Sequence, residues 1–168
     1  GTKRVHSDIT FDLRRGELLG LIGGSGAGKS VILRTLVGLE KPDHGEIHVE
    51  GQEISKLKEL DLIEIRKKVA YVFQNGALFD SMSVFDNLAY ALREHTTLDE
   101  DVIRGRVLGR LKDFGLAGNE ALFPANLSGG MQKRVGLARS IILQPSVVLY
   151  DEPTAGLDPY NPKRICGM

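Results

Sequence analysis

Three short stretches of this chain carry residue types that can do chemistry. Gly23 to Ser30 reads GGSGAGKS, which fits the phosphate-binding spacing G-x-x-x-x-G-K-[ST]. Glycines 23, 24, 26 and 28, with Ser25 and Ala27 between them, let backbone N–H groups turn inward around a polyphosphate. Lys29 can neutralise charge on the outer phosphates, and the Ser30 hydroxyl suits Mg²⁺. VVLYDEP sets Asp151 at the end of an apolar run, where it can hold that magnesium. Glu152 beside it can polarise an attacking water as a general base. In NLSGGMQ, Ser128, Gly129 and Gly130 stand before a helix whose N-terminus would offer N–H groups to a second anion.

Each stretch also has a plainer reading. These are a solvated glycine turn, a strand ending in surface acids, and a serine N-cap with a glycine hinge. The first two signals support each other because a phosphate loop and a strand-end Asp-Glu pair are the two halves of one Mg-nucleotide site.

The elements expected to position these residues can be read from apolar periodicity. SDITFDL alternates at Ile9, Phe11 and Leu13 as a half-buried strand does, and ELLGLI reads as a fully buried one. KSVILRTLVGL is helix-like, EIHVE is a short alternating strand ending at Gly51, and KELDLIEIRKK is a short amphipathic helix. VAYVF and SVVLY are buried-strand candidates. Between them, SVFD and TLDE suggest capping boxes at Ser83/Asp86 and Thr97/Glu100. The second precedes apolar positions 103, 107, 108, 111 and 114 at helical spacing. GMQKRVGLARSIIL reads as a further helix stopped by Pro145. Strands, then helices, then a strand predict an α/β domain carrying a helical subdomain.

The bulk composition narrows the partners. The 168 residues, 42% hydrophobic and 26% charged, suit one globular domain. Lys plus Arg and Asp plus Glu both number 22, so no charge excess favours nucleic acid. Arg14-Arg15 reads as a turn and Arg66-Lys67-Lys68 as a solvated helix end. The lone Cys166 excludes an internal disulfide and favours a reducing compartment. The longest uncharged stretch is the twelve residues from Ala121 to Gln132, against about 20 apolar residues for a membrane span. Any membrane role is therefore expected to come through a partner.

GGSGAGKS, Gln74 after VAYVF, LSGGMQ, VVLYDEP and AGLD occur in that order, and together they resemble the ATP-binding subunit of an ABC transporter. The resemblance runs from the first strand to about Pro159. It implies a P-loop NTPase fold: a RecA-like parallel core sheet with an antiparallel β subdomain, plus a helical subdomain. It implies ATP and Mg²⁺ as cofactors and a head-to-tail dimer in which the LSGG helix of one copy caps the ATP held by the other. Position by position, Gly23, Gly24, Gly26, Gly28, Lys29 and Ser30 resemble the phosphate loop. Gln74 resembles the glutamine that touches magnesium and the attacking water, and Ser128, Gly129 and Gly130 the signature that reaches the γ-phosphate in trans. Asp151 resembles the magnesium aspartate, Glu152 the catalytic glutamate and Asp158 the aspartate of the loop at the dimer seam. The catalytic set is thus Glu152, Gln74 and Lys29, and the metal set Ser30, Gln74 and Asp151.

QNGALFDSMSVFDNLAYALREHT is similar to the same region of ATPases that move phospholipid between Gram-negative membranes, the lipid-asymmetry or solvent-tolerance group. That likeness implies permease subunits docking near Ala77–Phe85, a lipid-binding subunit, and a place on the cytoplasmic face of the inner membrane. Leu78, Phe79, Met82 and Phe85 are either part of that docking surface or ordinary packing. The expected division is 1–76 for the nucleotide-binding core and β subdomain and 77–130 for the helical subdomain. Residues 131–158 hold the signature helix, the Asp151 strand and the seam loop, and 159–168 a non-matching tail.

The sequence departs from the family at both ends. PYNPKRICGM does not read as the helix that should follow, because Pro159 and Pro162 break it. The histidine that contacts the γ-phosphate has no counterpart, since His6, His44, His48 and His95 all lie upstream. The chain is therefore expected to be C-terminally incomplete, lacking a core strand, and to hydrolyse ATP at least ~10²-fold more slowly than a complete relative. GTKRVHSD supplies no aromatic residue to stack on adenine. Alternatives are a hydrolysis-deficient nucleotide-binding fragment and the ATPase of another ABC importer. An ABC-type ATPase acting on DNA or ribosomes fits neither the neutral charge nor the short Gln74-to-Ser128 spacing.

Overall fold

Matched start and stop signals, more than apolar content, decide where regular structure forms in this chain. The computed structural model describes residues 5–73 and 76–151. The chain divides after Lys58 into two compact units, taken here in turn.

In the first unit, α1 spans Lys29–Leu36. Gly38, at φ 68, ends it with a paired closure: Gly38 N–H donates to Thr35 O at 3.1 Å and Leu39 N–H to Arg34 O at 2.9 Å. β1 (His48–Val49) and β2 (Gln52–Glu53) pair antiparallel, with Val49 opposite Gln52. The reversal uses Glu50 at φ 49 and Gly51 at φ 80, the doubly left-handed two-residue turn that matches strand twist. Val37, Val49 and Ile54 are the buried apolar residues of this unit among those described.

Two sequence expectations fail here. Neither SDITFDL nor ELLGLI forms a strand; Leu18 is 95% and Ile22 99% exposed. A two-faced apolar strand is stable only when neighbours pair its edges and cover both faces. No described strand pairs with either segment, so Ile9, Phe11 and Leu13 also stay exposed.

In the second unit, α2 (Leu62–Lys68) buries Leu62 and Ile65 and runs straight into β3 (Val69–Val72). β3 pairs in parallel with β4 (Val147–Tyr150), Val69 opposite Val147 and Val72 opposite Tyr150. Parallel neighbours need a crossover connection, and here the crossover carries three helices: α3 (Val84–His95), α4 (Glu100–Asp113) and α5 (Gly129–Ser140).

The helix ends explain these boundaries. Ser83 caps α3: its Oγ accepts from Asp86 N–H at 3.0 Å while its hydroxyl donates to Asp86 Oδ2 at 2.6 Å. The Thr97/Glu100 capping box does not form. α4 begins at Glu100, so Asp99 takes the cap position. The Glu100 carboxylate instead accepts from the Arg93 guanidinium at 2.7 and 2.8 Å, a forked pair more favourable than one bond back to the backbone. α4 closes at Gly115 (φ 64), where Leu116 N–H donates to Leu111 O at 2.8 Å and Leu116 drops into the core. α5 ends at Ser140 rather than reaching Pro145. Gln144, the residue before the proline, turns the chain at φ 55.

The principal core lies among these helices. It joins Val84, Leu88, Ala89 and Leu92 with Ile103, Val107 and Leu111, closed by Leu116, Leu127, Val135, Ala138 and Ile142. Each fully buried aliphatic side chain here contributes about 1.5–3 kcal/mol, so this cluster is the main support of the second unit. No helix of the described residues is long and apolar enough to cross a membrane.

Candidate functional site

The phosphate-loop candidates Gly23, Gly24, Ser25, Gly26, Ala27, Gly28, Lys29 and Ser30 all lie in the first unit, leading into α1. Gly28 is the helix N-cap, at φ 85, a left-handed conformation that favours glycine. A Cβ there would also fall 2.5 Å from the His6 ring and 2.6 Å from Val5. The His6 Nε2 sits 3.0 Å from Ala27 O on the same loop. Ala27 N–H donates to Gly24 O at 3.2 Å, and Gly26 also has a positive φ of 78. The Lys29 ammonium folds back over this loop, donating to Gly23 O at 2.8 Å and Gly24 O at 2.9 Å. A cation held over the glycines, at the positive end of a helix dipole, is a site for a polyanion.

The second unit holds Asp151, directly after β4. Its N–H donates to Val72 O at 3.1 Å, extending the parallel pairing, and its Oδ2 accepts from the Tyr71 hydroxyl at 2.7 Å. Tyr71 thereby orients the carboxylate, a contact the sequence did not suggest. The second anion candidate, at the start of α5, has the expected local geometry. Ser128 Oγ accepts from Met131 N–H at 3.3 Å, and a Cβ at Gly129 or Gly130 would meet nothing within 4 Å. The helix start is uncrowded, because its first two residues are glycines. Gln74, Glu152 and Asp158 lie outside the described residues.

The segment after Gln74 is clamped from two sides. Asn87 on α3 is fully buried; its amide nitrogen lies 3.0 to 3.1 Å from the carbonyls of Phe79, Met82 and Ser83, and its Oδ1 accepts from Phe79 N–H at 2.9 Å. Arg139 on α5 donates to Ala77 O at 2.7 Å and Gly76 O at 3.2 Å, and its guanidinium lies 5.0 Å over the Phe79 ring. Burial pulls the Arg139 pKa down from its ordinary value, but arginine stays charged. Of the apolar residues weighed for docking, Leu78 and Phe85 pack against the helical core. Phe79 is 43% exposed and meets Tyr90 edge-on, with ring centroids 5.4 Å apart. The sequence did carry a signal for Asn87, a polar residue on the α3 face that holds Val84 and Leu88. Arg139, and Gly136 whose Cβ would stand 2.5 Å from Gly76 Cα, had no such mark, since their partner is the backbone of a distant loop.

Comparison with known proteins gives these features a context. The family model described as ABC transporter matches residues 6–155. A protein named "Probable ribonucleotide transport ATP-binding protein mkl", from Mycobacterium leprae, is 47% identical over 159 residues, 95% of this chain and 46% of its own length. "Intermembrane phospholipid transport system ATP-binding protein MlaF" of Haemophilus influenzae is 42% identical, over 96% of this chain and 61% of its own. The chain thus spans about half to three fifths of the length of these relatives. Among solved structures, the ATP-binding cassette MJ0796, described as a dimer in a post-hydrolysis state bound to ADP and Pi, superposes with a TM-score of 0.81 at 31% identity, covering 89% of this chain and 66% of that one. CbiO1 from Clostridium perfringens, part of the ABC transporter complex cbiONQ, gives 0.80 at 34%, covering 90% and 60%. The fold is that of a P-loop NTPase, and the chain belongs to the ABC transporter family, whose cassettes bind ATP.

Proposed function

We propose that the protein is the ATP-binding and hydrolysing subunit of an ABC transporter that moves phospholipid between membranes. The observation that carries this reading is the second glycine-fronted helix start: α5 opens at Ser128 with Gly129 and Gly130 uncovered, in a chain that already has a phosphate loop at α1. A helix start of this kind keeps N–H groups that an anion can meet. In a two-fold dimer, the nucleotide held by the phosphate loop of one copy would meet the Ser128 end of the other.

In this reading Gly23–Ser30 cradle the phosphates, with Lys29 on the outer ones. Ser128, Gly129 and Gly130 reach the γ-phosphate in trans, Gln74 and Glu152 orient and deprotonate the attacking water, and Asp158 lies at the seam. Ser30, Gln74 and Asp151 offer hard oxygen donors, which suit magnesium. Among the described residues no cluster of three His, Cys, Asp or Glu could cage a metal alone, and Mg²⁺ usually takes one or two protein oxygens with phosphate completing its shell. When bound, magnesium neutralises charge on the phosphate oxygens.

The dimer would sit on the cytoplasmic face of the inner membrane. Permease subunits would dock on Ala77–Phe85, and a lipid-binding subunit would deliver cargo. Exposed Phe79 and Tyr90 supply apolar contact area for that docking. A second reading, ribonucleotide as cargo, is favoured by the name of the relative at 47% identity. ATP-driven movement of fluorescent phospholipid between vesicles, against uptake of labelled ribonucleotide, separates the two.

The test of the core reading is complementation in the full chain. Lys29→Ala and Ser128→Arg each spoil both sites of their own homodimer. Mixed in equal amounts, they form heterodimers with one intact site, so turnover returns to about one quarter of the wild-type rate if the two-fold arrangement holds. A mixture no faster than the sum of its parts would sink the sandwich.

A further inference from the structure

His6 lies 21 residues before Ala27 in the chain, yet it meets the glycine loop at the peptide between Ala27 and Gly28. Its Nε2 is 3.0 Å from Ala27 O. A carbonyl oxygen only accepts, so this nitrogen carries the proton and donates. Gly28 lies against the same ring, since a Cβ there would fall 2.5 Å from both Cε1 and Nε2. Only a glycine lets the imidazole come so near. Gly28 in turn starts α1: its carbonyl accepts from Val31 N–H at 2.9 Å and from Ile32 N–H at 3.2 Å. The Ala27–Gly28 peptide is therefore held at its oxygen by His6 and joined on its other side to the first turn of the helix. A trans peptide carries its C=O and N–H on opposite sides, so the Gly28 N–H points away from the imidazole. Lys29 secures the other end of the loop, through Gly23 O and Gly24 O.

We propose that His6 is a positioning residue for nucleotide binding: it fixes the Ala27–Gly28 peptide so that the Gly28 N–H and the start of α1 are set for phosphate. This rests on the function proposed above. His6 acts through the backbone of the loop and needs no contact of its own with the nucleotide. A loop already held in its binding shape loses less conformational freedom when the ligand arrives, which strengthens affinity. The contribution of His6 therefore falls on binding and leaves turnover alone.

The test uses two substitutions in the full chain. His6→Leu keeps apolar bulk beside Gly28 and removes the donor, whereas His6→Gln restores a donor nitrogen at similar reach. Isothermal titration should show Mg-ATP affinity weakened about three- to tenfold in His6→Leu, the scale of one hydrogen bond between uncharged groups, and within about twofold of wild type in His6→Gln. KM should rise with the loss of affinity while kcat stays within about twofold, the mark of binding made equally in ground and transition states. A His6→Leu chain that binds as tightly as wild type would overturn the proposal, and so would a His6→Gln chain as weak as His6→Leu. Parallel loss of kcat, affinity and melting temperature would overturn it too, since that marks general support of the fold. Nitrogen NMR of the wild-type chain should find the neutral His6 ring protonated on Nε2. A proton on Nδ1 would overturn the proposal even if both variants failed to fold. A wild-type chain that binds no Mg-ATP would defeat the functional reading and this inference with it, whereas indifference to His6→Leu defeats only the inference.

Discussion

Replacing Gly136 with alanine sets two physical effects against each other. In a helix interior, glycine to alanine is worth about 1 kcal/mol of stability. The added methyl would however lie 2.5 Å from Gly76 Cα, 2.9 Å from Gly76 O and 3.1 Å from its carbonyl carbon. Carbon atoms pack at about 3.5–4.0 Å, so the two backbones must part by about 1 Å. Both neighbours are main chain, and no flexible side chain can give way. Overpacking of this kind costs about 1–3 kcal/mol. The shift also pulls Gly76 O and Ala77 O from Arg139, at about 1.5–3 kcal/mol for a charge-assisted bond. The penalty outweighs the propensity gain, and the second unit should lose about 2–4 kcal/mol. Urea unfolding followed by far-ultraviolet circular dichroism measures it. Gly105→Ala and Gly109→Ala, on exposed faces of α4 where a Cβ meets nothing within 4 Å, are the controls. They keep the propensity gain without the clash and should each stabilise by up to about 1 kcal/mol. A Gly136→Ala chain with a midpoint at or above wild type would refute the close approach of α5 to the loop.

Three further outcomes follow from the geometry. Gly28→Ala forces a left-handed φ of 85 on a residue with a Cβ and drives it into His6 and Val5; the backbone cost alone is about 1–2 kcal/mol, and affinity for a fluorescent ATP analogue should fall about tenfold. Ser128→Ala removes the hydroxyl that accepts from Met131 N–H at 3.3 Å and should cost about 0.5–1 kcal/mol in urea unfolding, the low end for a cap because the bond is long. The Asp86 carboxyl is held below its ordinary 3.8 first by the Ser83 hydroxyl and then by Arg93. A depressed folded pKa gives stability that is complete above the unfolded value and drains as pH falls through the folded one. Wild type should therefore lose more stability than Asp86→Asn as the pH falls below that ordinary value, measured by urea midpoints on the acid side.

Helices were the most legible part of the chain because their signals are local. Ser83 before Val84, Gly115 after α4 and Ser128 before α5 each satisfy end groups within a few residues. TLDE failed at this same level: Asp99 and Thr97 both qualify as caps, and the distant Arg93 decided between them by drawing Glu100 away. The strands at Ile9–Leu13 and Leu18–Ile22 were misread because a buried strand exists only through its neighbours, which a local pattern cannot supply. At the site, GGSGAGKS and LSGGMQ were readable because glycine loops and caps act through their own backbone. The attachments behind them were not. Tyr71 meets Asp151 across a strand pair, and Arg139 meets carbonyls some sixty residues earlier. Carbonyls leave no mark in a sequence.

The most direct measurement of the central claim is isothermal titration of Mg-ATP into the full chain and into Lys29→Ala, at equal protein concentration. It reads the phosphate loop without depending on hydrolysis. The account predicts saturable binding of one nucleotide per chain, weakened at least about tenfold when the ammonium over Gly23 and Gly24 is removed. Absence of binding to wild type, or an affinity indifferent to Lys29→Ala, would contradict it.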